Sequence, residues 1–462
     1  MTKNNMPRGG LAAFGAGQAV LCRAAWYLVP RWALLWVFFN KVIFLFDFVG
    51  NYKNIFIITV AERYFMEQKL YRYRWVVVGV FWFVIFAYGA NWFALSPMLK
   101  TFETQFFVPD WEAHLLISLI GMFVIFFAWP AGALIDRKGP KLTISIGALF
   151  MALGFGLRPW LLTSFESLLM SSVIAGIGLA WILVALAPQM FRWFPAKHAG
   201  LPVGIGASGL FIGFGTGSLF MPFLTPDKTS SQIFNGFLIF GILAVIAFIL
   251  WIVIAKDHPV TPPEERVKVE KMRFTEGMKR VFSSKNAFIY PFIGFFIVGI
   301  TLVISALLHQ LYPGQDGGYI AGLLLYGCAI GAFFAPFIAK KIGLKKVTLS
   351  VVLGAVIFWL IIFALNYYYD ATWLLILPFA FLFGICFQAS WPLALYSQET
   401  EDGITESNVG IAASLYISIS NIGAAILPVI FPLIFIDIFQ NFIAILIGLI
   451  ICLLLWVVVK RK

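Results

Sequence analysis

Twelve apolar runs, each long enough to cross a lipid bilayer, follow one another through most of this chain with only short loops between them. Their approximate limits are 75–98, 114–133, 142–162, 165–190, 200–223, 233–255, 287–310, 318–338, 347–367, 373–396, 408–435 and 439–459. About 20 consecutive apolar residues span the hydrocarbon core as a helix. A helix satisfies its own backbone hydrogen bonds where water is absent. The runs do not alternate with period two, which excludes the pattern of a membrane barrel. Of 462 residues, 61% are hydrophobic and 12% are charged, against about 25% charged in a soluble domain. Such a chain uses lipid as its solvent, and the expected fold class is all-α integral membrane.

The formal net charge of +12 does not point to a nucleic-acid partner, because the basic residues lie in short loops between the runs. Loops after even-numbered runs carry Arg137, Lys138 and Lys141, then Arg192 and Lys197, then Lys340, Lys341, Lys345 and Lys346. The chain ends Lys460-Arg461-Lys462. Loops after odd-numbered runs hold few basic residues, and the first sets Glu103, Asp110 and Glu112 against Lys100. Basic loops stay in the cytoplasm. Both ends of the twelve-helix unit are therefore expected there, in a multi-pass protein of the cell membrane whose surroundings are the lipid bilayer. A monomer is the expected unit. Cys22, Cys328, Cys386 and Cys452 are scattered without metal or disulfide spacing, so no metal and no cofactor are expected.

The longest loop, about residues 256–286, divides the runs into six plus six. The expected organisation is a bundle over 74–255, a cytoplasmic linker over 256–286, and a second bundle with a basic tail over 287–462. Within the linker, Phe274 to Phe282 reads as a short amphipathic helix on the membrane surface. A faint repeat supports the division. Lys340-Lys341-Ile-Gly343-Leu-Lys345-Lys346 stands after the eighth run where Asp136 to Lys141 stands after the second, with Gly139 matching Gly343 and Asp136 replaced by Lys340. Residues 1–73 do not fit the scheme: the apolar stretch 24–49 is interrupted by Arg31, Lys41 and Asp47. Met66 to Arg74 reads as an ordinary basic leader, so 1–65 is read as a dispensable extension upstream of Met66. An interfacial helix and a thirteenth span are the competing readings, and the stretch is too long and too interrupted for a signal-peptide core.

The turn after the second run reads Gly132-Ala-Leu-Ile-Asp136-Arg137-Lys138-Gly139-Pro140-Lys141. It resembles the signature loop of the major facilitator superfamily, roughly G-x-x-x-D-R-x-G-R-R/K. The resemblance covers about residues 74–460 and implies two six-helix bundles that rock about a central site in alternating access. The Asp-Arg-x-Gly-Pro-Lys variant, with Arg192-Trp-Phe-Pro-Ala-Lys-His-Ala-Gly200, looks most like the branch of oxalate/formate and monocarboxylate carriers. Two departures stand out. Ser172 occupies the place where drug exporters carry an Arg before the fourth-span Gly176-Ile-Gly178, and residues 318–338 lack the Arg that many monocarboxylate carriers use as an anion partner.

The resemblance implies that Asp136 lies near the start of the eleventh span and helps close the cytoplasmic side. A carboxylate favours the positive end of a helix dipole, and Ser407-Asn408 offer a cap there. One cytoplasmic loop is acidic, with Glu399, Glu401, Asp402 and Glu406. The expectation is a charge latch between these acids and Arg137, Lys138, Lys141 and Arg192; a solvated acidic loop with exposed pairs contributing about 0–1 kcal/mol is the plainer reading.

The spans hold almost no charge, and ionisable groups inside a membrane are costly and usually functional. His309, late in span seven, reads as a proton carrier or as an imidazole satisfied at the outer interface. Arg158, late in span three, reads as an anion attractor or as a side chain snorkelling outward. The family likeness implies a substrate cavity lined by spans one, four, seven and ten. Those spans offer Tyr88, Asn91 and Trp92; Gln189; Thr301 and Ser305; and Gln388, Ser390 and Trp391, while span eleven adds Asn421. A mostly apolar pocket with a few oriented polar groups suits a small neutral or weakly charged solute. The glycines of span five, from Gly204 to Gly217, let helices approach closely.

The function this points to is a secondary or facilitative transporter of a small solute, a small organic anion being one class, with a coupled proton or counter-anion as partner. A non-transporting receptor or sensor on the same fold is the alternative. A membrane enzyme would need clustered His, Asp, Glu or Cys, and a primary pump would need a phosphate-binding loop; neither pattern occurs.

Overall fold

The computed structural model describes residues 52–194, 199–256, 274–284, 286–312, 315–368, 373–405, 408–435 and 437–459. The chain divides into two units, Met1–Lys69 and Leu70–Lys462; of the first, only helical backbone from Tyr52 is described. The expectation for residues 1–65 otherwise lies outside the described residues, as do Lys197, Glu406 and Ser407.

The second unit is built from twelve principal helices: α1 Tyr52–Phe93, which begins in the first unit, α2 Leu115–Lys138, α3 Pro140–Gly156, α4 Phe165–Val184, α5 Gly200–Leu224, α6 Ser230–Ile254, α7 Ile289–Leu311, α8 Gln315–Ile342, α9 Leu344–Tyr368, α10 Trp373–Gln388, α11 Val409–Ile434 and α12 Ile438–Val458. No strand occurs among the described residues. Among the described residues, eleven spans are long and apolar enough to cross a membrane, and Pro140–Gly156 is a shorter apolar helix. The apolar runs read from the sequence become helices because lipid leaves the backbone no other partner.

Two sequence features punctuate these helices in matched positions. Pro188 lacks the amide that would bond to Val184, and the helix breaks at Ala185 before resuming as Leu186–Trp193. Pro392 does the same to α10, which breaks at Ala389 and resumes as Ser390–Glu399. Gly139 and Gly343 hold φ of +90° and +96°, values that glycine adopts without strain, and each forms the single-residue turn between two helices. The separation from Gly139 to Gly343 equals that from Pro188 to Pro392. The signature stretch is consequently less of a loop than its charges suggest: Asp136, Arg137 and Lys138 are the last turn of α2, and only Gly139 turns.

The helices pack in two similar sets. α2 lies on α4 and α4 on α3, which meets α6; in the same way α8 lies on α10, α10 on α9, and α9 on α12. The sets meet where α5 packs on α8 and α2 on α11. The linker helix Phe274–Ser283 forms as expected, and it is docked: Val281 is buried with Ile411 and Leu415 of α11, and Phe282 stacks on Trp129.

Candidate functional site

At the Gly139 end, α2 and α11 touch backbone to backbone. A Cβ added at Gly410 would lie 2.6 Å from Asp136 Oδ1 and 2.8 Å from the Gly132 carbonyl oxygen. A Cβ at Gly132 would meet the Ser414 hydroxyl. This approach seats the Asp136 carboxylate against the Gly410 amide, in the first turn of α11, where the helix dipole favours a negative group. Ser414 donates to the Ala128 carbonyl (2.9 Å) and Ser418 to that of Ile125 (3.1 Å), carrying the seam up both helices. The cap read into Asn408 is corrected. Asn408 precedes α11, but its side chain accepts from the Thr405 amide and donates to the Gly403 carbonyl, fastening the loop instead.

The acidic loop is placed differently from the expected latch. Glu401 accepts from Asn286 (2.8 Å) and from the Tyr290 hydroxyl (3.2 Å), partners on the α7 side of its own helix set. Glu399 is buried, and neither carboxylate oxygen has a hydrogen-bond partner among the described residues. Asp402, Arg137 and Lys138 are exposed. Among the described residues no ion pair joins these acids to Arg137, Lys138 or Lys141. The guanidinium of Arg192 lies over Gly139, where an added Cβ would come 2.5 Å from Nη1.

Midway along the helices lies a cavity of about 30 Å³, room for one or two waters. Four rings enclose it: Trp92 of α1, Phe211 and Phe214 of α5, and Trp391 beyond the α10 break. Trp92 and Phe214 meet edge to face at 5.4 Å, and Phe211 meets Trp391 at 6.1 Å across the two helix sets. Three neutral groups supply its polarity. Thr301 donates to the Ile297 carbonyl (2.7 Å) and lies 3.3 Å from Gln388 Oε1. Asn421 donates to the Ile417 carbonyl, and its Oδ1 has no partner among the described residues. No charged side chain is among the lining residues described. Of the residues singled out in the sequence, Trp92, Thr301, Gln388, Trp391 and Asn421 come together around this cavity. Phe211 and Phe214 were missed, since an aromatic between glycines in an apolar run carries no mark distinguishing cavity from lipid.

The remaining candidates do not line this cavity. The Tyr88 hydroxyl donates to the Ala175 carbonyl (2.6 Å), tying α1 to α4. Asn91 spends both amide hydrogens on the Ala87 and Phe240 carbonyls, tying α1 to α6. Gln189 is buried beside the α4 break, its Nε2 without a partner among the described residues. Ser305 pairs with Ser96 at 3.1 Å. His309 Nδ1 lies 2.7 Å from the Ser305 carbonyl, which only accepts, so Nδ1 carries the proton and Nε2 faces the Ser218 hydroxyl at 3.4 Å. The last two link α7 to the end of α1 and to α5, opposite the Gly139 end.

Arg158 does not snorkel. It is 0% exposed, donating to Ser171 Oγ (3.0 Å) and to the Asn91 carbonyl (3.0 Å), with its guanidinium 4.6 Å from the Phe155 ring and 5.7 Å from that of Phe237. A planar fork between two rings is a geometry lysine cannot reproduce. Arg158→Lys is expected to cost about 2–3 kcal/mol, the scale of hydrogen bonds to a charged group, measured as a lower thermal midpoint of the purified protein.

The sequence matches the description of the Major Facilitator Superfamily over residues 81–398. An uncharacterized MFS-type transporter of Caenorhabditis elegans is 24% identical over 308 residues, covering 61% of this chain and 51% of that protein. A choline/ethanolamine transporter of Danio rerio is 23% identical over 311 residues, covering 62% of this chain and 63% of that protein. The chain thus spans less than two thirds of either relative. Among solved structures, the proton:xylose symporter XylE superposes with a TM-score of 0.67 at 14% identity, over 84% of this chain and 96% of that one. With the match spanning well over half its length, this chain belongs to the major facilitator superfamily.

Proposed function

We propose that this chain is a secondary transporter, not an enzyme, that moves a small solute by alternating access between helix sets 74–255 and 287–462, joined by the linker 256–286. The observation that carries the reading is the neutral cavity at the junction of the sets, walled by four aromatic rings and furnished with Thr301, Gln388 and Asn421. Aromatic faces attract cations that have been stripped of water, and amides orient a polar group. This lining favours a small organic ammonium ion or a neutral polar solute. The name of the choline/ethanolamine transporter of Danio rerio agrees with that class. The organic-anion reading draws on the oxalate/formate and monocarboxylate likeness of the Asp136–Lys141 and Arg192–Gly200 stretches, while Arg158, its one candidate anion partner within the spans, lies outside the lining.

The basic loops at the Gly139 end support a cytoplasmic placement for that end in the cell membrane. The α2–α11 seam then serves as the inner gate and the Ser96–Ser305 and Ser218–His309 contacts as the outer one. Uptake into proteoliposomes tests the proposal, with choline, ethanolamine and small organic anions offered in turn. Saturable uptake of an ammonium solute is the expected result. Runs with and without a pH gradient, and with anion-loaded vesicles, separate uniport from proton coupling and exchange. Binding without uptake of any solute would favour the receptor reading instead.

A further inference from the structure

A second, larger cavity of about 320 Å³ opens at the end of the molecule away from Gly139, between α7, α11 and the short helix Asp110–Ala113. Its walls are half apolar, with Leu307 of α7 and Phe431 of α11, and its polar groups are Asp110, His114, Gln310 and Asn441. The state of each group follows from the bonds it already makes. His114 is 3% exposed, and its Nδ1 lies 2.8 Å from the Asp110 carbonyl oxygen. A carbonyl only accepts, so Nδ1 donates, with Asp110 Oδ1 3.6 Å from the same nitrogen; when the ring is neutral, Nε2 is a lone pair. Asn441 spends both amide hydrogens on the carbonyls of Phe435 (3.0 Å) and Asp437 (3.1 Å). What remains to it is the acceptor Oδ1. The Asp110 carboxylate, its side chain 42% exposed, only accepts when ionised. Three acceptors, one of them charged, therefore share a cavity in which, among the described lining residues, Gln310 alone retains free side-chain donors.

We propose that this cavity is a binding site for a primary ammonium group, whose three N–H bonds match the Asp110 carboxylate, His114 Nε2 and Asn441 Oδ1, and whose carbon chain rests on Leu307 and Phe431. A carboxylate or phosphate would face acceptors and is repelled. A divalent metal is disfavoured, since the described residues contain no group of three His, Cys, Asp or Glu within reach of one ion. The site is separate from the central cavity and stands whether or not the carrier reading holds. The ammonium group can belong to a free solute or to a phosphatidylethanolamine headgroup.

The test is equilibrium binding of radiolabelled ethylammonium to the purified full chain in detergent. Binding is expected to be saturable, competed poorly by tetramethylammonium, which has no N–H, and not competed by propionate. Asp110→Asn keeps the shape and removes the charge; it is expected to weaken binding by about tenfold, the factor of one charge-assisted hydrogen bond. His114→Asn keeps a donor near the place of Nδ1 and deletes Nε2, and it is expected to weaken binding severalfold with an unchanged thermal midpoint. Gln388→Leu, in the central cavity, leaves this Asp110-dependent binding intact. Equal binding in wild type and Asp110→Asn overturns the proposal, as does competition by propionate or displacement by calcium. Loss of uptake in Gln388→Leu with Asp110-dependent binding retained keeps both readings. Binding lost only in Gln388→Leu sinks this one and spares the carrier. Repeating the titration in phosphatidylcholine nanodiscs with and without phosphatidylethanolamine identifies the source: competition by the lipid names the headgroup, and its absence names the free solute.

Discussion

Replacing Gly213 with leucine is expected to leave no recoverable folded protein. On α5, Gly209, Gly213 and Gly217 recur every four residues and so face one neighbour, α1. A Cβ at Gly213 would collide with the Phe86 carbonyl oxygen and lie 2.8 Å from the Ala90 nitrogen. Both obstacles are backbone atoms, which cannot swing aside as a side chain can. Overpacking commonly costs about 1–3 kcal/mol even where side chains yield, and close helix contact is itself a main source of stability in lipid. The second helix set repeats the device, since a Cβ at Gly423 of α11 would collide with the Phe295 carbonyl of α7. The measurement is the yield of monodisperse protein in size-exclusion chromatography. Gly79→Leu is the control: nothing lies within 4 Å of a Cβ there, and normal yield is expected.

The double variant Gln388→Leu/Asn421→Leu is expected to fold and to lose transport by about a hundredfold. Leucine keeps much of the volume of each amide, so the cavity stays filled. Each substitution removes a group able to hydrogen-bond the solute, and two such losses of on the order of 1.4 kcal/mol multiply to that factor. Initial rates in proteoliposomes measure it, beside thermal midpoints showing that the variant is intact. A change of threefold or less would remove these amides from the transport path.

The helical architecture is legible in the sequence because lipid forces it: an apolar run of sufficient length has no alternative to a helix. Gly139, Gly343, Pro188 and Pro392 are legible for a related reason, since each alters the backbone wherever it stands. What each polar side chain faces is not. Asn91 and Trp92 are adjacent in the chain, yet Asn91 ties α1 to α6 while Trp92 lines the central cavity. One residue is a 100° rotation of a helix, and packing sets that rotation. Arg158 shows the same limit, because its burial depends on Phe155, Phe237 and the Asn91 carbonyl meeting around it. The acidic loop looked like the partner of the basic loops by charge alone, but Asn286 and Tyr290 lie close enough to hold Glu401.

Distances between spin labels at the two ends of the helix sets test the rocking motion most directly. Cysteines replacing exposed Lys138 and Asp402 report across the sets at the Gly139 end, and Phe107 with Asp437 at the other. On addition of the solute that the uptake assay identifies, one distance is expected to lengthen as the other shortens. Both distances lengthening together, or neither moving while uptake proceeds, would contradict two rigid sets pivoting about a central cavity.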